Sequence, residues 1–135
     1  MQITLTRRGD YGIRAVLDLA RHEGAGRRKK REIAAAMEIP SGFLSQILAT
    51  LVRADLVRAA AGPDGGYVLA RPAAAISLLD VVEAVEGPVA LRRCLLRGIP
   101  CASDEPCAVH DAWARAQDAT TGVLGATSFD ALARS

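Results

Sequence analysis

The chain has few aromatic side chains, one Trp, two Tyr and two Phe among 135 residues, although half of its residues are hydrophobic. Its core must therefore be built mainly from Ala, Leu, Val and Ile, which suits helices packed closely together. No stretch approaches the ~20 consecutive apolar residues needed to cross a bilayer. The N-terminus shows no signal-peptide pattern. These two absences give the expectation of a cytoplasmic protein with no membrane partner. A phosphate-cradling or dinucleotide-binding motif is also lacking, and no Cys-His pair with an orienting carboxylate is evident, which argues against an enzyme. Cysteine is absent from all but one window. The stretch "CLLRGIPCASDEPCAVH", residues 94–110, holds all three cysteines and one of the two histidines.

Formal net charge is only +2, but it is unevenly spread. Residues 1–72 carry 12 Lys/Arg against 7 Asp/Glu, and residues 73–135 carry 5 against 8. A basic first part followed by an acidic second part suggests that the first part meets a polyanion. A solvated charged surface would give the same balance, so charge alone does not decide.

Hydrophobic periodicity supplies the frame. Ile13, Val16, Leu17 and Ala20 recur at helical spacing, predicting a helix from about Gly9 that ends near the glycines at 24 and 26. A basic run, Arg27 to Arg31, leads into a short helix through Ile33 to Met37. In "EIPSGFLSQILATLVRADLV", Leu44, Ile47, Leu48 and Leu51 form a buried stripe, and Ser41 is the expected N-cap. The opposite face carries Ser41, Ser45, Gln46, Ala49, Thr50 and Arg53. A short helix, a turn and a second helix with a small, polar outer face is the pattern of a DNA-reading helix-turn-helix. "LVRAAAGPDGGYVLARP" then predicts a hairpin, Leu56–Ala60 and Tyr67–Ala70, with Gly62, Gly65 and Gly66 at its tip. A hairpin directly after a reading helix is a wing, and a tip of little side-chain bulk can come close to a sugar–phosphate backbone.

Ser77 to Asp80 opens a further helix as a capping box, with Leu78, Val81, Val82 and Val85 as its stripe and Gly87 at its end. Asp104-Glu105-Pro106 is the expected start of a long helix striped by Val109, Trp113, Ala116, Thr120 and Val123. A second short helix is expected from Ser128. The long stripe has no place in a compact winged helix, and a second copy of the chain would cover it.

The cysteine spacing is C-x6-C-x5-C-x2-H. Zinc sites favour paired short knuckles, and only Cys107 and His110 are close here. Iron–sulfur clusters accept ligands spread over a looped segment. Three thiols cannot all pair within one chain, and in a reducing compartment a structural disulfide is the weakest reading. An iron–sulfur cluster, zinc, redox-sensing thiols and chance all remain open on chemistry alone.

Taken together, "LTRRGDYGIRAVLDLA", "IPSGFLSQILATLVRADLV", "GPDGGYVLARP", "ISLLDVVEAVEG" and the three cysteines resemble the winged-helix iron–sulfur transcription regulators of the IscR and NsrR type, over nearly the whole chain. The resemblance implies a homodimer with a [2Fe-2S] or [4Fe-4S] cluster ligated by Cys94, Cys101 and Cys107. In IscR-like members the fourth ligand is a histidine three residues after the last cysteine, matched by His110. In NsrR-like members it is an aspartate of the partner subunit, matched by Asp10. His110 is favoured slightly, since it needs no second chain. IscR-like members have a glutamate where this chain has Ser45 and an arginine where it has Ala61. The DNA site is therefore expected to differ, and a wing contact in the minor groove to be missing. The first cysteine spacing is one residue longer than in IscR.

The resulting expectation is a mainly α protein with one small hairpin. It comprises a winged helix-turn-helix at 1–87, a cysteine-bearing loop at 88–107, and a dimerisation helix and tail at 108–135. It binds double-stranded DNA through Arg28, Lys29, Ser41, Ser45, Gln46, Thr50, Arg53 and the wing glycines. Its affinity is governed by a cluster that senses nitric oxide, oxygen or redox state, or cluster supply. A cluster-free redox-thiol or zinc-dependent regulator is the alternative.

Overall fold

A computed structural model describes residues 4–87 and 107–135. Helix α1 spans Arg7–Arg21, two residues earlier than the periodicity suggested, because the Thr6 hydroxyl accepts the Gly9 amide and caps the first turn. Helix α2, Lys30–Met37, ends on Glu38 in the left-handed conformation, and α3 runs Ser41–Arg53. The two helices meet at 114°, within the range of helix-turn-helix units. Ser41 is not the cap that the sequence suggested. Pro40, with φ −58°, holds that place, and Ser41 is already the first helical residue. Proline's fixed φ and extended ψ make it a natural entry to a helix.

Strands β1 (Val57–Ala60) and β2 (Gly66–Leu69) pair antiparallel, Val57 opposite Leu69 and Ala60 opposite Gly66. Helix α4, Leu78–Glu86, starts at the expected capping box of Ser77 and Asp80. Helix α5 is His110–Ala126, preceded by a turn in which the His110 amide donates to the Cys107 carbonyl at 3.0 Å. It begins later than the sequence suggested, so Cys107 precedes the helix rather than lying within it; Asp104, Glu105 and Pro106 lie outside the described residues.

The core lies where α1, α3 and α4 converge. Val16, Leu44, Ile47, Leu48, Leu51 and Val81 are completely buried, as the stripes predicted. The short helix expected from Ser128 is present, capped by the Ser128 hydroxyl, but its packing was not foretold. Helix α6, Phe129–Ala133, folds back onto α1, and Phe129 is the bulkiest completely buried side chain described. It is fastened by a bridge between Ser77 and Ser128, with the Phe129 amide donating to the Ile76 carbonyl at 2.9 Å and the Leu78 amide to the Thr127 carbonyl at 2.9 Å. No single helix among the described residues is long and apolar enough to cross a membrane.

Candidate nucleic-acid interface

The outer face of α3 presents Gly42, Ser45, Gln46, Ala49 and Arg53, all exposed, opposite its buried leucine and isoleucine stripe. Ser41 is exposed at its first turn, and Thr50 is half-buried at its edge. Two neighbouring helices flank this face with cations. From α2, Lys30 Nζ donates to Ser45 Oγ at 2.9 Å. From α1, an Arg8 guanidinium N–H donates to Thr50 Oγ1 at 3.5 Å, and Arg53 donates to the same oxygen at 3.3 Å. The hydroxyls of Ser45 and Thr50 in turn donate to the carbonyls of Ser41 and Gln46. Among the described residues, Arg8, Lys30 and Arg53 form no ion pair with a carboxylate. Their charge stays available to an anion.

Arg28 behaves differently. Its guanidinium grips both oxygens of Asp18, Nε to Oδ2 at 3.0 Å and Nη2 to Oδ1 at 3.1 Å, and Nη1 reaches Glu32 at 3.1 Å. The Arg28 side chain is only 17% exposed and that of Asp18 2%. A bidentate pair of this kind suits arginine's planar fork. The hydrogen bonds of Asp18 raise the Arg28 pKa above its usual value against the opposing cost of burial, with attraction to Asp18 and Glu32 adding to the rise. The charge is therefore permanent at any practical pH. The sequence assigned Arg28 to a DNA phosphate; the structure turns it inward, because a carboxylate on the facing helix satisfies it first. Arg28 also joins the wing through its backbone, its amide donating to the Tyr67 carbonyl at 2.9 Å and its carbonyl accepting from the Tyr67 amide at 2.8 Å.

Lys29 is half-exposed at the N-cap of α2, where its amide donates to Glu32 Oε1 at 3.0 Å. That bond is the main reason the Glu32 carboxyl titrates below its ordinary value. Attraction to Arg28, Arg31 and Lys29 adds to it, and desolvation opposes it. A depressed folded-state pKa means that this stabilisation of α2 is present above the ordinary carboxyl range and fades as pH falls through the lowered value.

The three wing glycines divide by role. Gly62 sits at the exposed tip with φ +97° and open space around it. Gly65 is buried, and a Cβ there would collide with the Ala60 carbonyl oxygen. Gly66, at φ +147°, would place a Cβ 2.7 Å from the Arg28 carbonyl oxygen. The last two are needed to close the hairpin onto its neighbours. Arg27 reaches the Asp64 carbonyl at the tip, at 3.3 Å.

Of the cysteine-window ligands, Cys94 and Cys101 lie outside the described residues. Cys107 is an exposed free thiol, and His110 is half-exposed at the first turn of α5. Asp10 is on α1, its carboxylate 2.9 Å from Arg14 Nε. The flanking roles of Arg8 and Lys30 were missed in the sequence. The only available signal was that Arg8 precedes the first apolar stripe by a turn and that Lys30 opens α2.

Over residues 5–135 the chain matches the Rrf2 family, described as iron-dependent transcriptional regulators. It is 32% identical over 128 residues to a putative HTH-type transcriptional regulator of Neisseria meningitidis, covering 95% of this chain and 86% of that one. It is 33% identical over 120 residues to the HTH-type transcriptional regulator IscR of Escherichia coli, covering 89% and 74%. Its fold is similar to that of CymR, the global cysteine regulator of B. subtilis, with a TM-score of 0.85, 29% identity and 98% of each chain covered.

Proposed function

Since the chain belongs to the Rrf2 family of transcriptional regulators, we propose that it acts as a homodimer whose affinity for double-stranded DNA is set by an iron–sulfur cluster. It is a regulator and not an enzyme. The observation that carries the DNA-binding part is the α3 face, small and polar at its centre and bordered by Arg8, Lys30 and Arg53, which have no carboxylate partner among the described residues. Such a face fits the major groove, with the cations reaching phosphates at its edges. Gln46 is positioned as the base reader, since its amide can bond adenine bidentately. Gln46→Ala should cost about 1–3 kcal/mol of discrimination against the wrong base. Lys29→Ala should weaken all duplexes alike and flatten the dependence on salt by about one unit for each phosphate left without its cation. The two variants are compared by titrating a selected duplex and a scrambled one at several salt concentrations. Identical behaviour of both would overturn this division of roles.

The donor set fits an iron–sulfur cluster. Three thiols and an imidazole lie within seventeen residues, and Cys107 is exposed and close in sequence to His110. Cys94, Cys101 and Cys107 would hold the cluster as thiolates. His110 would be the fourth ligand, or else Asp10 from the other subunit. When bound, the cluster would supply a centre that reacts with nitric oxide or oxygen. The likeness to CymR favours a second reading, a cluster-free regulator that senses through the thiols themselves, with zinc on the same residues as a further form. Anaerobic absorbance spectra with quantitation of iron, sulfide and zinc separate these readings; a protein free of iron and sulfide would remove the first.

The dimer reading rests on α5. None of its residues is buried in the single chain, and Val109, Trp113 and Val123 are exposed. Val109, Ala112, Ala116, Ala119, Val123 and Ala126 alternate at spacings of three and four, the repeat of a helix-to-helix seam. The small side chains suit close approach. A second copy is the natural occupant, because one reading helix covers only a half-site. Light scattering at micromolar concentration should show a dimer that Val123→Glu converts to monomer. A monomeric parent protein would overturn this.

A further inference from the structure

We propose that Glu86 is a positioning residue that holds Arg8 on a DNA phosphate, acting through the Thr6 cap of α1. The proposal rests on the DNA-binding reading above. The Thr6 amide donates to Glu86 Oε1 at 2.8 Å, and the Thr6 hydroxyl donates to the same oxygen. That hydroxyl also accepts the Gly9 amide, so one carboxylate orients the group that caps the helix. A carboxylate at this place also complements the positive end of the α1 dipole. Gly9 leaves room for the same contact, since a Cβ there would push the Glu86 carboxylate aside. One turn further along, the Cβ position of Gly12 is 3.1 Å from Val85. The N-terminal half of α1 is thereby seated on the end of α4.

The first turn of α1 also carries Arg8, which reaches over to Thr50 at the edge of the reading face. Arg8 and Arg53 converge on one hydroxyl with no carboxylate partner among the described residues. Two like charges gathered on one oxygen repel, and a phosphate between them relieves that repulsion. Glu86 is the last residue of α4.

The test uses the full-length protein and a duplex recovered by selection from a random-sequence pool. Arg8→Ala should weaken binding several-fold and make the salt dependence shallower by about 0.9 per subunit. Glu86→Ala should reproduce both effects and add little when combined with Arg8→Ala, as expected for two residues acting on one contact. Glu86→Gln should restore binding, because its amide oxygen still accepts both Thr6 bonds. Gly9→Ala supplies the control for stability. Alanine is the better helix former, so this variant should melt no lower than the parent while displacing Glu86 and weakening binding. Parental affinity in Glu86→Ala or Gly9→Ala, additive losses with Arg8→Ala, or failure of Glu86→Gln to restore binding would each overturn the proposal. Failure of the parent protein to bind any selected duplex would instead overturn the DNA-binding reading.

Discussion

Arg28→Ala should destabilise the fold by about 3–5 kcal/mol, the cost of removing one partner from a buried ion pair. The variant would leave the Asp18 carboxylate, 2% exposed, without its two guanidinium bonds. The nearest other cationic candidate is His22, whose Nδ1 is 3.8 Å from Asp18 Oδ1 and is already 2.8 Å from the Asp18 carbonyl. Arg28→Lys should recover only part of the loss, since an ammonium cannot make the bidentate bond. Adding Asp18→Ala to Arg28→Ala should restore some stability by removing the orphaned charge. Urea unfolding of the set measures these differences. A variant Arg28→Ala that unfolds with the parent yet binds DNA with a shallower salt dependence would return this guanidinium to the DNA, where the sequence alone had put it.

Cys107→Ala should abolish stable cluster binding altogether. A thiolate is a strong ligand for iron, and among the described residues no group of three His, Cys, Asp or Glu side chains offers a replacement. His110→Ala should leave a labile cluster, and Asp10→Ala should change little. Anaerobic spectra of the three proteins, with iron and sulfide counted, measure the effect. An unstable cluster in Asp10→Ala with a stable one in His110→Ala would assign the fourth position to the partner's carboxylate. A cluster that persists unchanged in Cys107→Ala would sink the ligand assignment.

How much was legible can be judged residue by residue. The stripe of α3 was plain because its apolar residues repeat at helical spacing and all face one core. The Ser77 capping box was plain because both of its partners lie within four residues. Local patterns of this kind are what a sequence displays. Arg28 was assigned to a phosphate because its partner, Asp18, lies on α1, and no local rule ranks a distant carboxylate above a phosphate. Ser41 was displaced by a neighbour, since Pro40 occupies the capping position with its own fixed geometry. Arg8 and Lys30 escaped notice for a similar reason. Their roles arise only when α1 and α2 are laid beside α3. The cysteine window was conspicuous by composition, yet its position relative to the reading helix is a tertiary matter that composition does not carry.

The burial of Phe129 bears on how the protein is made. Its ring closes a core whose first members, Ala15 to Leu19, are synthesised roughly 110 residues earlier. At ~5–20 residues per second, translation separates the two by on the order of ten seconds. During that interval α1, α3 and the wing have emerged in order, but the groove that Phe129 fills still exposes apolar surface. A nascent chain stalled before that point presents a chaperone or protease with a target. The packing of α1 against its neighbours is thus complete only once α6 has been made.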